Sequence, residues 1–381
     1  MTLRALATGA TALSLLATTA LSGGIERAAP STRVLFEEGR YFEFSFASVS
    51  PNLSGKDGTL LSRFSGLPVD IPLEGETGNL LDNYITLGMA YKGEINDKLS
   101  YAFLVDQPYG TNTIYPSAIG GLPEPSAIYG DTEAKLTTVA LTSALRYEVT
   151  PGVSLYGGLR IQRMSAEASL PFVSGYEIET DVSTGVGYMA GVAYERPDIA
   201  LRVALTYYSA INHEFTADET VLVPGVGAVD FDDGEFEIDT PSSIALEFQT
   251  GVAPGTLVFG SIRRVNWSDF EIVPPNYPLG TLVAYEEDWT TYTLGVGRQL
   301  TDTLSGSISY TLEPASDTVL TSLGPVDGRR AINLGLRYKK DAMTISGGLS
   351  FIELGDAENV LGTQYEDGEA VAFGLRLGFN L

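Results

Sequence analysis

Residues 144–162, ALRYEVTPGVSLYGGLRIQ, alternate in character about a Thr-Pro-Gly turn. Leu145, Tyr147 and Val149 share one face, with Arg146 and Glu148 on the other. Past the turn, Val153, Leu155, Leu159 and Ile161 oppose Ser154, Tyr156, Arg160 and Gln162. A period of two on both sides of a tight turn specifies a β-hairpin. The pattern returns along the chain. Ile199, Leu201, Val203, Leu205 and Tyr207 oppose Arg202, Ala204, Thr206 and Tyr208, and Val371, Phe373, Leu375, Leu377 and Phe379 oppose Ala372, Gly374, Arg376 and Gly378. After residue 38 almost no stretch carries a 3.6-residue period. Beyond the N-terminus no apolar run reaches the roughly 20 residues a membrane-crossing helix needs. The chain is committed to sheet.

The connections alternate in length. Short ones hold turn formers: INDK (95–98), VTPG (149–152), ERPD (195–198), GVAPG (251–255), LTDT (300–303) and KKDA (339–342). Long ones, at 51–83, 107–132, 169–181, 213–238, 270–285, 314–328 and 354–367, are rich in Pro, Gly and acidic residues. Six short turns and seven long loops separate fourteen strands. An even count with short turns at one end and long loops at the other is the layout of an outer-membrane barrel. The strands reach about ten residues, the length a tilted transmembrane strand requires. Tyr147, Tyr194, Tyr207 and Tyr338 fall near strand ends, where interfacial girdles sit. The fold expected is all-β: a 14-stranded antiparallel transmembrane β-barrel with a short N-terminal plug inside the lumen. Its apolar face meets lipid and its polar face lines the interior.

The N-terminus, MTLRALATGATALSLLATTALSGG, has an Arg near its start, then a short run of apolar and small residues. It reads as a secretory signal peptide over 1–22. Residues 23–38 fit no barrel wall and read as the plug, with Glu26, Arg27, Phe36, Glu37 and Glu38 as its contact residues, or else as a disordered periplasmic leader; the barrel proper spans 39–381. The chain places itself in the outer membrane of a Gram-negative bacterium, in contact with outer-membrane lipid and lipopolysaccharide, and as a monomer. A net charge of −25 argues against nucleic acid, which needs a basic face. The absence of cysteine excludes disulfides and thiolate metal sites.

Within this frame the inward-facing cations stand out. By phase, Arg146, Arg160, Arg202, Arg337 and Arg376 point into the lumen, with Glu148 and Glu247 as acidic counterparts. They could draw in a carboxylate, which Arg pairs bidentately, or form a structural network that holds the plug. The acidic run DFDDGEFEID (230–239) lacks the spacing of a calcium loop and reads as a solvated outer face. His213 is the sole histidine, and no catalytic triad, phosphate loop or zinc motif accompanies it. The reading is a non-enzyme, with no cofactor and no metal.

FGSIRRVNWSDFEIVPP (259–275) runs a strand through Arg-x-x-x-Trp-Ser-x-Phe into a Pro-containing loop. With SYTLEPASDTVLTSLGPVDGRRAINLGLRY (309–338) and GGIERAAPSTRVLFEEGRYFEFSFASVSP (23–51), it resembles the long-chain fatty acid outer-membrane transporter (FadL-like) family. The resemblance implies a plugged fourteen-stranded barrel importing long-chain fatty acids or other hydrophobic compounds, captured by extracellular loops and released through a gap in the wall, with diffusion through the lumen to the periplasm as the competing exit. The family's Asn-Pro-Ala in the plug is absent, Ala29-Pro30 being its nearest remnant. Apolar groups on the long loops suit such a cargo: Tyr109, Tyr115 and Tyr129 in residues 108–130, and Phe172 in residues 171–178. Those same groups could instead pack together as a lid. The alternative function is a general or anion-preferring diffusion porin.

Overall fold

Alternation and turn spacing produce the expected wall in a computed structural model describing residues 25–60, 70–117, 128–316 and 318–381. The expected leader, with Gly23, Gly24 and part of the 107–132 loop, lies outside the described residues. The first seven wall strands are β1 Tyr41–Asn52, β2 Tyr84–Asn96, β3 Leu99–Asp106, β4 Glu133–Thr150, β5 Val153–Leu170, β6 Ser183–Arg196 and β7 Leu201–Tyr208. The second seven are β8 Ser243–Ala253, β9 Thr256–Val265, β10 Trp289–Gln299, β11 Leu304–Glu313, β12 Arg329–Lys340, β13 Met343–Leu354 and β14 Glu369–Asn380. Each pairs antiparallel with its neighbours. β14 closes on β1 from Tyr41 opposite Asn380 to Asn52 opposite Glu369. Closure gives the backbone its hydrogen bonds internally, as hydrocarbon demands.

The faces are inverted relative to a water-soluble sheet. Leu159 is 62% exposed while its neighbour Arg160 is 5% exposed. Leu145, Leu155 and Ile161 likewise stand outward, and Gln162 and Tyr156 inward. Tyr188 and Tyr207 meet on the outer face towards the long-loop end, their ring centroids 6.0 Å apart.

Two elements depart from the sequence reading. The turn after β6 is a 3-10 turn, Pro197–Ile199, closed by Ala200 at φ 52°. Ile199, which alternation assigns to a strand, therefore lies in the turn, because Pro197 cannot donate to a ladder. The connection at 209–242 is a second hairpin, Ile211–Val223 with Gly227–Thr240. It stands beyond the wall strands and pairs laterally with Tyr176–Thr180, which also pairs with β5. Its many acidic residues, poor strand formers, obscured the period of two. A separate sheet of Ser54–Leu60, Ile71–Asn79, Val319–Leu320, Ala357–Asn359 and Gln364–Tyr365 lies over the same end.

Candidate functional site

The wall is interrupted between β2 and β3. β2 pairs with β1 up to Tyr84 opposite Val49, but with β3 only from Asn96 to Met89, which faces Val105. β3 ends at Asp106, and its partner strand β4 resumes pairing at Thr137, opposite Gly110. Residues 107–109 thus leave the wall, and the β2 stretch from Tyr84 to Gly88 has no partner strand on that side. Above the interruption, Leu81 bridges Thr113. The Leu87 N–H donates to Gln107 Oε1 at 2.8 Å, so a side chain replaces the missing strand there. A cavity of about 180 Å³ occupies the interruption, lined by Ala29, Pro30 and Val34 within and by Leu87 and Met89 without. Leu87 and Met89 are among the exposed, lipid-facing residues.

The segment that leaves the wall meets the N-terminal segment inside. The Gly110 N–H donates to Ile25 O at 2.7 Å, and the Arg27 and Ala28 N–H groups both donate to Pro108 O. The two segments run close together, a Cβ at Gly110 lying 2.7 Å from Arg27 Nε. Arg27 in turn stacks over the Tyr84 ring at 4.7 Å. Glu26 accepts from Arg263 of β9 at 2.7 Å, both side chains being buried. The segment then runs down the lumen to a 3-10 turn, Arg33–Phe36, all four residues of which are buried.

The inward arginines are engaged by the protein itself. Arg160 grips Asp106 and donates to Thr142 Oγ1 at 2.7 Å. Arg146 pairs with Glu195, and Arg33 pairs with Glu37 and Glu43. Arg376 lies 3.8 Å from Glu43. Arg146 and Arg202 sit over the Phe36 ring at 4.9 and 4.8 Å, and Phe36 also meets Tyr156 edge-on. Arg337 borders a wide vestibule of about 920 Å³ at the short-turn end, with Glu37, Glu38 and Glu148. The Glu38 carbonyl accepts from Asn380 Nδ2 at 3.0 Å. Glu247 lines the side cavity.

The loop aromatics pack on one another at the long-loop end. Tyr115 stacks on Tyr129 at 5.0 Å, and Tyr129 meets Phe172 edge-on at 5.4 Å. The Tyr115 hydroxyl donates to Ser322 O, and Asn359 Nδ2 donates to the Tyr129 hydroxyl at 2.8 Å. These groups are buried against one another or against neighbouring loops. Tyr109 lies deeper, edge-on to Trp267. A small apolar chamber of about 40 Å³ opens beside it, lined by Ile25, Leu136, Phe236, Val283, Tyr285 and Leu323 among others. His213 is buried in the outer hairpin, its ring stacked on Phe215. The carboxylates of 230–239 lie mostly exposed along the same hairpin.

The sequence reading found Arg160 and Glu26 but not their partners Asp106 and Arg263, nor Gln107. One signal was present: Gln-Pro-Tyr-Gly at 107–110 places a Pro within strand-like sequence, which marks an edge or bulge.

The sequence model described as "Outer membrane protein transport protein (OMPP1/FadL/TodX)" matches residues 6–358. No curated protein sequence matches the chain. Among solved structures, a Pseudomonas aeruginosa FadL homologue superposes with TM-score 0.72 at 14% identity, covering 91% of this chain and 92% of the other. The Pseudomonas putida toluene transporter TodX gives 0.66 at 14% identity, covering 100% and 98%. The Ralstonia pickettii toluene transporter TbuX gives 0.59 at 13%, covering 91% and 90%.

Proposed function

Because the chain belongs to the OMPP1/FadL/TodX family of outer membrane transport proteins, we propose that it imports hydrophobic compounds, taking them from the extracellular loops and releasing them sideways between β2 and β3. It is a fourteen-stranded barrel of the Gram-negative outer membrane. The observation that carries the proposal is the interrupted ladder, where a cavity lined on its inner side by the N-terminal segment reaches the lipid-facing Leu87 and Met89. An apolar solute gains roughly 25 cal/mol per Å² by passing from water to hydrocarbon, so an opening in the wall lets it leave down its own free-energy gradient.

The segment 25–38 acts as the plug in this reading. It is tied to the wall by Glu26–Arg263 and Arg33–Glu43 and fills space that a diffusion porin would leave to water. The arginines serve it as anchors. Long-chain fatty acids are one candidate cargo, and neutral hydrophobes such as the toluene of the two named transporters are the other. Pairing of Arg160, Arg146 and Arg376 with protein carboxylates favours the neutral class.

The chain contains no cysteine, so a Leu87→Cys, Gln107→Cys pair can be bridged selectively by a bifunctional thiol reagent. Uptake of a labelled hydrophobe by cells lacking their own importer is expected to fall on bridging and return on reduction. Uptake indifferent to the bridge would overturn the side exit.

A further inference from the structure

Charge on this protein is distributed unevenly. The seven connections at the long-loop end, 53–83, 107–132, 171–182, 209–242, 266–288, 314–328 and 355–368, hold thirty Asp and Glu against two cations, Lys56 and Arg63. This excess of twenty-eight negative charges exceeds the net −25 of the whole chain. Such a field lowers the local concentration of anions at the mouth and leaves neutral molecules unaffected.

Beneath those loops lies the apolar chamber, and one of the polar groups lining it, the Tyr285 hydroxyl, is neutral and unused. Tyr285 lines the chamber, is 3% exposed, and its hydroxyl has no hydrogen-bond partner among the described residues. Trp289, 4% exposed and with its ring 5.1 Å from that of Tyr285, has an indole N–H in the same condition. Trp267 and Phe270 complete the cluster, at 5.3 and 5.9 Å from Tyr285. A buried hydroxyl left unmet costs about 1–3 kcal/mol, and a ligand oxygen that accepts from Tyr285 in the chamber removes that cost. The cations here are already held: Lys135 by Glu167, Arg263 by Glu26 and Arg264 by Asp288. A carboxylate entering the chamber would be desolvated and would meet there only Lys135, already neutralised by Glu167.

We propose that this chamber receives uncharged hydrophobic molecules bearing one hydrogen-bonding oxygen, such as alcohols or ketones, with Tyr285 as the polar handle, and that the acidic loops turn carboxylates away. In the closed arrangement the chamber holds about three water-sized groups, so a longer cargo enters by parting the loops. The assignment rests on the import reading for its physiological sense, but it concerns binding and is tested as such.

The chain has two tryptophans, Trp267 and Trp289, and both belong to this cluster, so intrinsic fluorescence reads it directly. Protein in lipid nanodiscs at pH 8 is titrated with octan-1-ol, octanoate and octane, with empty nanodiscs as the partition control. Octanol is expected to shift the emission saturably, at a concentration at least tenfold below octanoate. Tyr285→Phe should weaken octanol about five- to tenfold and leave octane unchanged. Glu286→Gln with Glu287→Gln, both exposed, should narrow the octanol preference. Octanoate binding as tightly as octanol, or no response to any ligand, overturns the proposal. An unaffected Tyr285→Phe removes the handle, and an unchanged ratio in the Glu variant removes the charge filter. Octanol binding in a protein that imports no hydrophobe would sink the transport reading and leave this one intact.

Discussion

Arg160 holds Asp106 by both terminal guanidinium nitrogens, at 2.6 and 3.1 Å, and Asp106 is the last residue of β3 before the chain leaves the wall. The pair joins the edge of the side opening to β5, two strands away. It fixes where the interruption begins.

Arg160→Ala should therefore act on the opening rather than on the barrel at large. Removing one partner of a buried pair costs about 3–5 kcal/mol, and the partial exposure of Asp106 places this case near the lower figure. Denaturant titration in bilayers should show the loss, and Asp106→Asn in the Arg160→Ala background should recover part of it. Recovery distinguishes an unpaired charge from a packing defect.

Gln107→Ala tests the side-chain bridge to Leu87. It leaves the Leu87 N–H facing hydrocarbon without a partner, at about 1–3 kcal/mol. Faster amide exchange at residues 85–88 than in the paired part of β2 is expected. Unchanged exchange would mean that the bridge holds nothing.

Glu26→Gln strips the carboxylate from buried Arg263. The upper end of the N-terminal segment should loosen and the lumen admit ions. Single-channel recordings in planar bilayers are expected to show larger or more frequent openings than the parent, while Arg264→Ala, whose partner Asp288 lies at the loop end, should leave the recordings unchanged.

His213 gives the outer hairpin a pH dependence of predictable sign. Burial lowers its pKa from 6.5 to about 4, Asp239 opposing the shift. Above pH 6.5 the imidazole is neutral whether the hairpin is folded or not. Between 6.5 and 4 only the unfolded form takes up the proton, so acidification through that window removes stability. Protease cleavage in 211–240 should rise from pH 7.5 to pH 5.5 in the parent and stay flat in His213→Phe.

What could be read from the chain beforehand follows from what each force depends on. Lipid contact is set residue by residue along a strand, so Leu159 and Arg160 declare their faces in the sequence. The strand count followed from turns such as residues 149–152, whose Pro and Gly act locally. The opening did not follow, because it depends on which strand stops first against β2, a relation between residues 88 and 106. Likewise the arginines announced themselves by phase, but their partners Glu195, Asp106 and Glu43 lie 49, 54 and 333 residues away. Packing of Tyr115 on Tyr129 rather than on cargo was undecidable from composition, since a lid and a groove use the same side chains.

The lumenal segment also constrains the order of assembly. Tyr41 begins β1 at the short-turn end, yet Ile25 is bonded to Gly110 near the opposite end, so sixteen residues double back through the interior before the first strand starts. Arg33 is clasped to Glu43, on the strand that forms one lip of the closing seam. The segment can therefore ride in on that strand and be enclosed as β14 docks. Entry of the segment ahead of seam closure is thus a kinetic requirement on biogenesis, written into the position of one ion pair.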